Sequence, residues 1–186
     1  QVGAFAFASP TSLDAALGVS PEVGSYTVQI AGANSGTGLA LAEIYDASAG
    51  VPAATTPRLI NVSARTQVGT GSNVLIAGFV IGGTTARTVL IRGFGPTLSA
   101  FGVTGVLLDP QLDLYANGAV LRSNNDWGGD GQIATIAASV GAFALADPGS
   151  RDAVLLTTLA PGNYTAQVTG VGGTTGVALV EVYEVP

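Results

Sequence analysis

The chain has 186 residues, 27 of them Gly, and contains no His, no Cys and no Met. Its six cations are all Arg (Arg58, Arg65, Arg87, Arg92, Arg122 and Arg151), set against 12 acids for a net charge of −6. These counts exclude Ser-His-Asp and Cys-His catalysis, zinc-finger and thiolate metal sites, and Schiff-base or P-loop lysines; with no basic run, a nucleic-acid partner is excluded as well.

The chain opens on residues 2–8, VGAFAFA, where Phe5 and Phe7 alternate in the manner of an inserted strand. Residues 25–31 alternate cleanly, with Tyr26, Val28 and Ile30 on one face and Thr27 and Gln29 on the other, which predicts a half-buried strand. Residues 39–45 are more continuously apolar and read as a central strand. The stretch 49–57, AGVPAATTP, reads as a linker. Beyond it, strands are predicted over 59–64, 74–81, 87–91, 112–115, 119–122, 153–157, 163–169 and 177–185, with short helices over 97–101 and 132–140 only. Gly82-Gly83, Asn117-Gly118, Gly128-Gly129, Pro161-Gly162 and Gly172-Gly173 supply turns, and Asn117-Gly118 is a good hairpin signal. Arg92-Gly93-Phe94-Gly95-Pro96 is expected to end a strand and turn a corner. Many short strands with Gly-rich turns indicate an all-β antiparallel sandwich. No apolar stretch is long and unbroken enough to span a bilayer.

Residues 3–48 align without a gap on residues 141–186 at a constant offset of 138, with 21 of 46 positions identical. Phe5, Pro10, Asp14, Tyr26, Glu43 and Tyr45 match Phe143, Pro148, Asp152, Tyr164, Glu181 and Tyr183. Keeping proline, acids and aromatics in register is the mark of duplication. The chain then divides into a partial repeat at 1–48, a linker at 49–57 and a complete sandwich repeat at 58–186, whose C-terminal third is the duplicated part. Two or three strands cannot bury an apolar face alone. The partial repeat is therefore expected to dock on its own unit, on a neighbouring chain, or to be the end of a longer array.

Two stretches, LDPQLDLYANGAVLRSNNDWGGD at 108–130 and DAVLLTTLAPGNYTAQVTG at 152–170, resemble the bacterial pre-peptidase C-terminal domain. The shared pattern is an Asp-Pro, an alternating strand ending in Tyr, an Asn-Gly hairpin, an Asn-Asp acidic loop and a Gly-x-Tyr-Thr strand. The unit as a whole is also similar to a repeat of large secreted bacterial surface proteins. The resemblance implies a jelly-roll-like sandwich, an extracellular or cell-surface location and no catalytic activity.

Each chemically suggestive feature also has a structural reading. Asp109, Asp113, Asn124, Asp126 and Asp130 offer oxygen donors of the kind Ca²⁺ prefers, although their spacing is not that of an EF-hand and Asp/Asn clusters beside Gly form Asx turns. No other cofactor is expected. Glu43 and Glu181 stand at equivalent places in apolar strands. They could be a carboxylate pair for glycoside hydrolysis, but duplication explains both, and each is expected to meet an Arg such as Arg87 or Arg92. Trp127, beside Gly128-Gly129, is expected to plug the sandwich rather than to stack on a sugar.

Only 10% of residues are charged while 47% are apolar, against about 25% charged in an ordinary soluble domain. With no Lys to guard strand edges, such a surface suits a protein covered by copies of itself. The sequence therefore predicts a non-enzymatic structural subunit of an extracellular filament or surface lattice, whose partners are other copies of itself. Assembly would run head-to-tail by β-strand complementation through the N-terminal segment, with Val2, Phe5, Phe7, Tyr26, Val28 and Ile30 as contact residues. The alternative is a non-catalytic module that binds polysaccharide or cell wall.

Overall fold

Eight strands divide equally between two sheets. A computed structural model describes residues 4, 6–47 and 57–186 and divides into two units, Gln1–Leu59 and Ile60–Pro186. In the second unit the strands are β1 (Asn61–Val68), β2 (Leu75–Ile81), β3 (Arg87–Phe94), β4 (Pro110–Ala116), β5 (Ala119–Asn124), β6 (Ala153–Leu159), β7 (Gly162–Gly170) and β8 (Gly176–Val185). One sheet has the order β1-β8-β3-β6 and the other β2-β7-β4-β5. Every pairing within them is antiparallel. This is the eight-stranded jelly roll, two interleaved Greek keys closed face to face.

The period-two pattern explains the layering. On β4, Leu112 and Leu114 point inward; on β7, Ala166 and Val168 do; on β8, Ala178 and Val180 do. These side chains are fully buried between the sheets together with Val68, Ile91 and Leu107. The Asn117-Gly118 turn joins β4 to β5 with φ of 52° and 76°, the left-handed pair that a two-residue hairpin requires.

A third layer covers the outer face of the first sheet. Helix α1 (Gly131–Ser139) starts on Asp130, whose carboxylate accepts from the Gln132 amide at 2.7 Å, an ordinary N-cap. Ala137 of the helix packs in a second core with Leu90, Trp127, Ala142, Val154 and Tyr183, flanked by Ile133 and Ile136. This layer explains why β3 is buried on both faces, with Ile91 turned to one core and Leu90 to the other. Trp127 is 5% exposed and its Nε1 donates to the Asp147 carbonyl at 3.0 Å. It fills the space over the sheet instead of presenting a ring to solvent. Among the described residues no helix is long and apolar enough to cross a membrane.

The N-terminal unit departs from expectation. The strands predicted over 25–31 and 39–45 do not form; the regular element among residues 6–47 is one short 3-10 turn, Ala33–Ser35. The physical reason is visible in the copies. Strand β7 lies between β2 and β4, and β8 lies between β1 and β3, so both owe their extended pairing to strands outside the duplicated third. The predicted linker, apart from Pro57, and the contact residues Val2 and Phe5 lie outside the described residues.

Candidate functional site

Two buried charged clusters hold the duplicated third of the complete unit to the rest of it. Arg92 on β3 stands directly opposite Glu181 on β8. Arg92 has no exposed surface and Glu181 is 6% exposed. The guanidinium donates to Glu181 Oε2 from Nε at 2.9 Å and from Nη2 at 2.5 Å, and Nη1 donates to the Phe143 carbonyl at 2.7 Å. Its Cζ lies 4.5 Å from the Phe94 ring centre, 4.4 Å from that of Phe143 and 5.4 Å from that of Tyr183. The cation is therefore neutralised, hydrogen-bonded and enclosed by rings, which is what a buried charge needs. Tyr183 donates to Glu181 Oε1 at 3.1 Å. Burial, and then the Glu181 charge, push the Tyr183 hydroxyl pKa up to about 12.

The second cluster centres on Asp152, at the start of β6 and fully buried. Its Oδ1 accepts from the Gly95 amide at 2.8 Å, both oxygens lie within reach of the Thr97 amide, and the hydroxyls of Thr97 and Ser150 also bond it. The carboxylate thereby ties β6 to the corner after β3, where the chain leaves Phe94 and enters the 3-10 turn Pro96–Phe101. That corner is the one the Arg-Gly-Phe-Gly-Pro run predicts.

The described part of the N-terminal unit repeats the local half of each cluster. Ser12 donates its hydroxyl to Asp14 as Ser150 does to Asp152. Tyr45 donates to Glu43 Oε1 at 3.1 Å, as Tyr183 does to Glu181. Tyr26 bonds the Glu22 carbonyl at 2.8 Å and Tyr164 the Ala160 carbonyl at 2.9 Å. The 3-10 turn at 33–35 matches the one at Val171–Gly173, and Asn34 and Ser35 hold φ of 52° and 62° where Gly172 and Gly173 hold 65° and 76°. Short-range geometry is thus the same in both copies, while the cross-strand half differs. Phe7, Tyr26, Val28 and Ile30 are exposed, Val28 at 66%, whereas its counterpart Ala166 is fully buried.

Four of the five candidate oxygen donors make separate internal bonds. Asp109 pairs with Arg151, Asp113 accepts from Gln111 and Ser123, and Asp130 caps α1. The Asn124 side chain bridges the Asp126 carbonyl and the Val154 amide. Among the described residues no three acids are grouped so as to hold a metal ion. Glu181 is committed to Arg92 and Tyr183, and Arg87 pairs with Glu184 at 3.8 Å. Sequence reasoning reached Glu181 and offered Arg92 as a partner; it missed Asp152, whose only signal was identity with Asp14 across the duplication. On the outer face of the second sheet, Tyr115, Asn117, Asn163, Thr165 and Gln167 line an open depression of about 480 Å³.

No protein-family model matches the chain, and no curated protein does. Among solved structures it is similar to the pre-peptidase C-terminal domain of a collagenase from Bacillus anthracis, with a TM-score of 0.40 and 10% identity over 66% of this chain and 89% of that one. That domain is of the kind that residues 108–130 and 152–170 resemble.

Proposed function

We propose that the chain is a non-catalytic structural subunit of an extracellular filament or surface lattice, joined head-to-tail by β-strand complementation through its N-terminal segment. The observation that carries this reading is the N-terminal unit itself. It has the turns and side-chain bonds of the closing third of a jelly roll, yet no strand among its described residues, and it exposes Leu13, Leu17, Val28, Ile30, Leu39 and Leu41. Apolar residues at strand spacing gain by finding strands to pair with. A head-to-tail contact of this kind does not close on itself and so grows. Negative-stain electron microscopy of the full chain beside a version lacking residues 1–48 tests the proposal. Regular filaments from the full chain alone support it. Monodisperse particles from both at high concentration reject it.

A polysaccharide-binding module is the second reading, favoured by the depression on the second sheet, where one tyrosine ring stands among the amides of Asn117, Asn163 and Gln167. Under that reading the chain stays monomeric, its migration is retarded in a gel containing soluble polysaccharide, and Tyr115→Ala removes the retardation.

A further inference from the structure

Resting on the assembly reading, we propose that residues 9–47 take, in a second copy of this chain, the place that residues 147–185 hold in the closed unit, with Glu43 on that copy's Arg92 and Asp14 on its Gly95 and Thr97 amides. The interface is thereby an exchange of one duplicated third for the other on a shared framework of β1 to β5.

Four observations support this partner. The two groups that clamp the resident third, Asp152 and Glu181, have their own residue types at the matching places, Asp14 and Glu43. The flanking groups that orient them, Ser12 and Tyr45, already make the resident's bonds. Among the described residues no arginine meets Glu43, so the guanidinium is the part still to be supplied. Finally, the changes of volume between the two thirds compensate. Where the resident has Ala166, Val168, Val180 and Val182 facing the other sheet, the segment has Val28, Ile30, Ala42 and Ile44. Leu159, at the end of the edge strand β6, is replaced by Pro21, a position where proline is tolerated. Gains and losses cancel to about one methylene, and cores accept substitutions that keep total volume and pattern. One loss and one gain fall side by side: Val180 pairs with Gly93, and a Cβ at Gly93 would lie 3.2 Å from Val168.

The fit is poorer on the helix-covered face. Ala16 and Gly18 stand where Val154 and Leu156 pack in the second core. The resident third therefore holds its place in dilute protein, and exchange is driven by concentration and is slow, because the resident strands must leave first.

The chain has no cysteine, so one engineered pair reports one contact. Val62 on β1 is paired with Val182 on β8, and Ile44 has the place of Val182 in the segment. Under oxidation of concentrated protein, the I44C/V62C chain is expected to form a ladder of disulfide-linked multimers on a denaturing gel. V62C/V182C, cross-linked within one chain, shows that the position accepts the bond and that the unit folds. Glu43→Gln in the I44C/V62C chain should reduce the ladder about tenfold or more, the loss expected for one charged hydrogen bond. Glu181→Gln should increase the ladder, because it weakens only the resident. No ladder, a disulfide confined within one chain, or an equal ladder from the off-register pair L39C/V62C would each overturn the proposal. Filaments without the ladder leave the assembly reading standing and refute this register; absence of both removes the two together.

Discussion

Replacing Glu181 by Gln tests whether Arg92 is a buried cation that depends on one partner. With Arg92 unexposed and Glu181 6% exposed, water cannot take over the lost charge. Breaking such a pair from one side costs about 3–5 kcal/mol, against a total of about 5–15 kcal/mol for a domain of this size. The midpoint of thermal unfolding should fall by about 10–20 °C. The double replacement Arg92→Met/Glu181→Leu removes both charges and leaves a volume that Met and Leu fill. Its residual costs are the orphaned Phe143 carbonyl and the Tyr183 hydroxyl that loses its acceptor, about 1–2 kcal/mol each, so it should lie within about 4 kcal/mol of the parent, with coupling of at least about 2 kcal/mol between the two sites. Urea unfolding followed by the fluorescence of Trp127, the chain's one tryptophan and 5% exposed, reads Glu181→Gln and the four corners of the cycle: parent, Arg92→Met, Glu181→Leu and the double variant. A cost below about 1 kcal/mol for Glu181→Gln, the range of solvent-screened pairs, or single costs that simply add in the double variant, would refute the argument.

Asp152→Asn keeps the shape of the second clamp but replaces a charged acceptor of backbone and hydroxyl bonds, so the urea midpoint should report a loss of about 2–3 kcal/mol. Tyr183 stays protonated to higher pH in the folded state than in the unfolded chain; its contribution is full below pH 10 and is lost as pH rises through about 12, so urea midpoints should decline over that window more steeply in the parent than in Tyr183→Phe. Leu112→Ala, at a fully buried inter-sheet position, should cost about 2–5 kcal/mol, measured in the same way. Asp113, Asp130 and the Oδ2 of Asp109 are engaged in internal bonds, while Asp109 Oδ1 is buried without a partner; adding millimolar Ca²⁺ should leave the midpoint unchanged, and a clear rise would support the acidic loop as an ion site.

Much of the sandwich was legible because its signals are local. Period-two alternation places Leu112 and Leu114 inward, and Asn117-Gly118 specifies a turn that few other pairs can adopt. What the sequence could not reveal is which apolar strands are covered twice. The outer face of the first sheet is buried because α1 and the segments beside it cover it, and that packing joins residues 46 positions apart, such as Ile136 and Leu90. Trp127 illustrates the point: its burial was foreseeable, but its seat over a sheet depended on where the helix comes to rest.

The N-terminal unit shows the opposite limit. Alternation over residues 25–31 is as clean as over 163–169, and Tyr26 makes the same carbonyl bond as Tyr164, yet only the second copy is a strand. Alternation records a capacity to pair, while the ladder itself is a property of neighbours. The duplication turns that difference into a functional argument. The Ser12–Asp14, Tyr45–Glu43 and Tyr26–Glu22 bonds within residues 9–47 match those of the closed unit. The bonds that distinguish the copies, from Arg92 to Glu181 and from the Gly95 amide to Asp152, are those donated by the framework of β1 to β5. The segment is therefore specified for a partner that supplies one arginine and one turn of backbone amides, and β3 with the corner that follows it carries both.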